Sequence, residues 1–228
     1  PYEPEEIWAY EAGLKAGLLD KRLRLNAATF IYDYTNLQAQ DSIANQPIIR
    51  NVGKAEVRGA EVEFAALLGN VFQLDGSVTY LDAVFTEGEL TEPLRPAPLT
   101  DEPGSTLRNL DGLRLPRAPE WKMNIGAQAD FAAFGGDLTL RADYAWQDQV
   151  FFTVFNINAA SQDSYGVLRA RATYAPGHGQ YKVALFGENL TDETYFTNQI
   201  LTGTTYGAEF VGSLGTPRTF GIELSTQF

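Results

Sequence analysis

From Phe220 to the last residue, Phe228, apolar and polar side chains alternate: Phe220, Ile222, Leu224, Thr226 and Phe228 on one parity, Thr219, Gly221, Glu223, Ser225 and Gln227 on the other. Successive side chains of a β-strand point to opposite faces, so a strand here presents one apolar and one polar surface. It needs an apolar environment on one side and a polar one on the other. The pattern runs to a hydrophobic terminal residue, where the last strand of a soluble sandwich usually tapers into a polar tail. This favours a strand facing lipid over one facing a soluble core.

The same period of two recurs in about nine segments, near 7–19, 22–34, 57–68, 71–84, 121–131, 137–149, 165–175, 181–190 and 218–228. No window holds the roughly 18 consecutive apolar residues that a membrane helix needs. Transmembrane strands leave no such run, because lipid-facing and lumen-facing residues alternate. Connections alternate in length. Asp20-Lys21, Gly69-Asn70, the stretch around Phe134-Gly135-Gly136 and Pro176-Gly177-His178-Gly179 carry the residues of tight turns. Between them lie long connections at 40–51, 86–120, 151–163 and 191–217. Short turns on one side and long loops on the other are the habit of outer-membrane barrels.

The two faces agree from strand to strand. One parity collects Leu14, Leu18, Leu23, Leu25, Met123, Ile125, Phe131, Leu138, Leu140 and Leu168 with many alanines, and no charge. The other carries Glu11, Glu61, Glu63, Asp75, Asp130, Asp143, Glu188 and Glu223 together with Lys15, Arg22, Arg24, Lys122, Arg141, Arg169, Arg171 and Lys182. These eight acids and eight bases balance, so the net charge of -12 lies outside that face. A charge at the bilayer midplane costs about 2–4 kcal/mol for Arg or Lys, which gives the segregation a physical cause. One segment breaks the rule. Lys54, Glu56 and Arg58 share the parity of Ala60, Val62 and Phe64, with Gly59 at the change, which predicts a bulge or a stretch standing above the lipid.

Aromatic residues fall near strand ends. Trp8, Tyr10, Trp121, Tyr144 and Trp146 are expected to form a girdle at the outer interface, and Phe72, Phe131, Tyr174, Tyr181 and Phe228 one at the inner interface. The chain has no cysteine and a single histidine, His178, which sits between two glycines and reads as a turn residue. Disulfide scaffolds and the common zinc sites are excluded on that ground, and the acidic balance disfavours nucleic acid as a partner. No nucleophile with an adjacent base, phosphate loop or ligand cluster appears. The expectation is a chain without catalytic residues, metal or cofactor. Glu61 and Glu63, two apart on one face, read as solvated wall charges facing Arg or Lys neighbours. Asn189 and Asp192 read as caps of a strand-to-loop turn. The proline-rich stretch 86–120 is too long for an idle connection and reads either as a ligand-gating loop or as a solvated shield.

Five segments, in order, resemble the C-terminal half of the barrel of TonB-dependent receptors. Trp8-Ala-Tyr-Glu-Ala-Gly-Leu-Lys15 is similar to the family's s-Y-E-l-G-l-K strand. Asn51-Val-Gly-Lys-Ala-Glu-Val-Arg-Gly-Ala-Glu-Val-Glu63 is similar to its N-x-G-x-A-x-x-x-G-x-E-x-E segment. Pro116-Arg-Ala-Pro119 before Trp121, Gly187-Glu-Asn-Leu-Thr-Asp-Glu-Thr-Tyr195 and Pro217-Arg-Thr-Phe-Gly221 through Phe228 complete the set. The resemblance implies an all-β fold: residues 1–228 as about nine strands of a transmembrane antiparallel barrel of about 22 strands with a plugged lumen. The plug and N-terminal strands are then expected to be missing upstream of Pro1. It further implies a multi-pass protein of the cell outer membrane that takes up a scarce solute, such as an iron-siderophore, with energy delivered by the TonB complex through the missing N-terminal region. Lipid would surround it, and Phe220, Gly221, Ile222, Leu224 and Phe228 would form the closing strand read by the barrel-assembly machinery. Two rivals stay open at this point: a passive porin-like channel and a soluble all-β binding module. Nine strands alone would leave two unpaired edges in lipid, so the expectation is that they do not fold by themselves.

Overall fold

The computed structural model describes residues 2–43, 46–92, 107–177, 181–201 and 209–226, with the side chains of 41–43, 46, 47 and 201 set aside. The strands are β1 Glu6–Leu18, β2 Leu23–Ile43, β3 Gln46–Leu68, β4 Phe72–Thr91, β5 Leu107–Asn109, β6 Trp121–Ala133, β7 Gly136–Gln147, β8 Val150–Phe151, β9 Ser161–Gln162, β10 Tyr165–Pro176, β11 Tyr181–Glu188, β12 Phe196–Leu201, β13 Phe210–Leu214 and β14 Thr219–Thr226. Nine run side by side in the order β1-β2-β3-β4-β6-β7-β10-β11-β14, and β5 joins the edge of β4. Every pairing is antiparallel. All nine predicted strands are present, in a meander open at β1 and β14.

Tight turns gather at one end of the sheet. Phe134 and Gly135 both take positive φ, 52 and 72°, in the two-residue turn that closes the Ala133–Gly136 pair, as the handedness of a hairpin requires. At the β1–β2 turn, Leu19, Asp20 and Lys21 are all left-handed, and the Arg22 amide donates to the Leu19 carbonyl at 3.0 Å. The turn expected at Pro176-Gly177-His178-Gly179 lies outside the described residues from His178 onward.

At the other end the structure departs from the sequence reading. β2, β3 and β4 run 21, 23 and 20 residues. The long connection expected at 40–51 is instead the tip of the β2–β3 hairpin, with Gln40 opposite Ile49 and Ile43 opposite Gln46. At about 3.3 Å per residue such strands reach far past an apolar band about 25 Å tall. In a membrane wall the excess length would stand clear of lipid and need no alternation, which accounts for a periodicity that stops before the strands do.

The predicted bulge also moves. Gly59 holds continuous register with Phe30 and Leu81, and the Phe30 ring occupies the place its Cβ would take. The break lies at Lys54/Ala55, which face Glu87 and Phe85 and leave Thr86 as the extra residue. Arg58 faces Ile31 and Asp82 across the ladders and pairs with Glu56 at 2.7 Å. The charges at 54–58 thus belong to the part of β3 above the apolar band. Gly53, opposite Gly88 just outside this break, has φ of 153°, and a Cβ there would overlap the Glu87 carbonyl.

Candidate functional site

Register carries one face through all nine strands. Leu14, Ala27, Val62, Val78, Met123 and Trp146 lie directly opposite one another in successive pairs. So do Ala66, Leu74, Ala127, Ala142, Ala170, Gly187 and Phe220. Large apolar side chains on this face are open: Ile222 is 75% exposed, Phe220 73% and Trp8 65%. A soluble module would bury this parity in a core, and a contiguous apolar surface of this extent marks a membrane or partner surface. The apolar residues assigned to the outward set from sequence all fall on it.

The opposite face carries the charges, and the β4–β14 half neutralises itself. Arg141 donates two bonds to Asp75, at 2.7 and 2.9 Å, and also pairs with Asp143. Arg169 pairs with Glu188 at 2.8 Å and Arg171 with Glu223 at 2.9 Å. Asp130 accepts from Thr139 at 2.6 Å and from Gln128. On β1–β3 the partners are different. Glu11 accepts from the Tyr32 hydroxyl at 2.5 Å, and Glu63 from the Asn26 amide at 3.4 Å. Among the described residues neither Glu61 nor Glu63 forms an ion pair; across the ladders Glu61 faces Ala28 and Thr79, and Glu63 faces Asn26 and Ser77, in place of the expected Arg or Lys neighbours.

At the outer end the long connections fold into a structure of their own. From Leu107 to Glu120 the chain follows the edge of β4 above β6. The Leu110 amide donates to the Gly88 carbonyl, Phe85 to Leu113, Leu115 to Ala83 and Leu81 to Glu120, each at 2.8–2.9 Å. This covers the edge that β6 leaves free. Val52, Ala55, Phe85, Leu90, Leu110 and Phe155 form a buried cluster there, with Tyr34, Leu113 and Ile157 packed against it. Glu92 pairs with Arg108 at 3.1 Å, and Lys54 with Glu87. The described part of the 86–120 connection is therefore a folded wall with its own core. Residues 93–106 lie outside the description.

Three asparagines tie the loops down by pairing their side-chain amides with backbone, as a neighbouring strand would. Asn51 accepts from the Glu3 amide and donates to the Glu3 and Asn36 carbonyls. Asn156 accepts from the Arg114 amide at 2.7 Å and donates to its carbonyl at 2.9 Å. Asn189, 2% exposed and left-handed at φ 50°, accepts from the Glu193 amide and donates to the Glu193 and Thr216 carbonyls. Asp192 takes Arg218 at 2.7 Å. The capping role read for Asn189 is what the geometry holds; the Asp192 carboxylate caps no backbone group and takes the Arg218 guanidinium instead. A buried group left without its partner costs about 1–3 kcal/mol, so Asn189→Ala should lower local stability by about that amount. Faster amide exchange at Glu193 is the expected sign; wild-type exchange there would count against it.

The described residues among those proposed for the girdles lie on the apolar face, but only some have aromatic neighbours. Trp121 packs on Tyr80 at 4.9 Å, a residue the sequence reading passed over although it shares the parity of Val78. The Tyr144 ring lies over Gly166. Near the short turns Phe72 meets Phe131 at 6.4 Å, and Tyr174 meets Phe134, also missed, at 6.5 Å. On the last strand Phe220, Ile222 and Leu224 point to the apolar face, whereas Gly221 lies on the charged face under the Phe186 ring. Phe228 is outside the described residues.

An open antiparallel wall, apolar on one face and ionic on the other, with short turns at one end and folded hairpins at the other, defines a segment of a transmembrane β-barrel. The family model described as TonB dependent receptor-like, beta-barrel, matches residues 1–190. The chain belongs to this family of outer-membrane receptors. Similar proteins include the probable TonB-dependent siderophore receptor PiuA of Acinetobacter baumannii, 27% identical over 195 residues, covering 86% of this chain and 24% of that protein. The metal-pseudopaline receptor CntO of Pseudomonas aeruginosa is 34% identical over 88 residues, 39% of this chain and 12% of that one. Among solved structures, the ferric yersiniabactin uptake receptor FyuA from Yersinia pestis superposes with a TM-score of 0.79 at 20% identity, covering 100% of this chain and 31% of that one. The crystal structure of PiuA gives 0.73 at 22% identity, covering 98% and 28%. The chain thus spans less than a third of the length of each. These relatives are receptors, not enzymes.

Proposed function

We propose that residues 1–228 form the C-terminal part of the barrel of a larger receptor that captures a scarce solute, an iron-siderophore or a similar nutrient, and imports it with energy coupled through TonB. The carrying observation is the two-faced wall topped by folded outer hairpins, in a chain of this family whose relatives include proteins named as a probable siderophore receptor and a metal-pseudopaline receptor. In this reading the plug, the TonB-contacting segment and the other strands belong to the rest of the protein. The apolar face meets lipid, and Trp8, Tyr10, Trp121, Tyr144 and Trp146 lie at the outer interface. The test is accumulation of radiolabelled ferric siderophores, one at a time, in cells lacking and regaining the receptor. Accumulation of at least one should require both receptor and TonB. Uptake undiminished without TonB would make the protein a passive channel.

The closing-strand role rests on the apolar parity of Phe220, Ile222 and Leu224, exposed at the sheet edge. On this reading the assembly machinery engages these residues, Gly221 and Phe228, so removing Phe228 should reduce the amount of folded receptor in the outer membrane several-fold. Wild-type amounts would argue against it.

A further inference from the structure

On the apolar face a trough of about 630 Å3 crosses the strands from β4 to β14. Its floor is the directly registered row Ala127, Ala142, Ala170 and Gly187, and Phe72 and Phe220 stand at its two ends. The neighbouring row of the same face carries Ile125, Tyr144 and Leu168, so the hollow comes from four consecutive strands losing their side-chain bulk at one level. The charged residues that alternate with the floor point their side chains to the opposite face and contribute backbone here, and the trough is lined almost wholly by apolar atoms.

We infer that this trough holds one phospholipid acyl chain in an ordered position. The inference rests on the outer-membrane setting of the family: hydrocarbon borders this face, and a void would forfeit dispersion contacts along its whole lining. A hollow that spans several strands, lined almost wholly by apolar atoms and without a polar handle, suits a flexible aliphatic chain. A packed protein ridge would leave its own polar groups to satisfy there.

The test uses the full-length receptor reconstituted with palmitoyl-oleoyl phosphatidylethanolamine, re-extracted in mild detergent and weighed by native mass spectrometry. Wild type should retain one phospholipid. Ala142→Leu, which fills the trough, should reduce that occupancy at least tenfold. Ala12→Leu, on the same face outside the trough, should leave it unchanged. If Ala142→Leu does not assemble, Ala170→Val supplies the same reading with a smaller graft. Equal retention by the filled variant, equal loss in Ala12→Leu, retention of lipopolysaccharide in place of phospholipid, or a receptor dimer that disappears on filling would each overturn the inference.

Discussion

Replacing Phe85 with alanine is expected to open the outer hairpin cluster while the membrane wall stays folded. Phe85 is 2% exposed at the centre of the cluster, with Leu110 and Val52 beside it, and truncating a buried phenylalanine costs about 3–5 kcal/mol. The loss stays local because the cluster and the wall are held by different forces. The wall is held by its ladders and by lipid, the cluster by six buried side chains and by the chain from Leu107 to Glu120 laid along β4. Amide exchange in the full-length receptor should rise around Val52–Ala55 and Leu110–Leu115 and remain slow in β6, β7 and β10. Under the proposed function, which puts this cluster at the outer mouth of the receptor, solute capture should fall with it. Uniform loss of protection through every strand, or none at all, would show that the two parts are not separate cooperative units.

The second large effect is the cost of a charge on the apolar face. Ile125 is 47% exposed there, near the middle of β6, between Gly76 and Tyr144. Arginine at this point should cost about 2–4 kcal/mol, the range for a lipid-facing Arg at the midplane, and the folded, heat-resistant form in the outer membrane should fall sharply. Asn124→Arg, one residue away, puts the same group on the ionic face between Ser77 and Ala145 and should assemble nearly as wild type. Similar yields for the two variants would remove the distinction between the faces.

These two substitutions also mark what was legible in the sequence. Ile125 belongs to a strand whose parity, turns and lipid-facing neighbours follow from alternation alone, because within the membrane each residue must suit either lipid or lumen. Phe85 lay at the edge of a stretch read as loop. Above the lipid that constraint is lifted, so β2, β3 and β4 continue through Lys54, Glu56 and Arg58 without the pattern that marks them below. Pro47 sits in the hairpin opposite Ser42, within the stretch 40–51 read as a connection. The β12–β13 hairpin was hidden within 191–217 for the same reason. The pairing of residues 107–120 along β4 is non-local and leaves no period. The asparagine clamps were partly visible: of the three, Asn156 and Asn189 are left-handed, a conformation asparagine adopts more readily than most residues, but only Asn189 stood in a context that suggested it.

The chain contains no cysteine, so single cysteines placed from 121 to 131 meet no competitor within it, and in the full-length receptor, with any cysteine elsewhere replaced, each can carry one fluorophore challenged in intact membranes with a quencher confined to lipid. Strong quenching at Met123, Ile125, Ala127 and Ala129, alternating with weak quenching at Lys122, Asn124, Gln128 and Asp130, is the predicted result. Quenching that does not alternate, or that alternates in the opposite phase, would contradict the assignment of lipid and lumen faces on which the account stands.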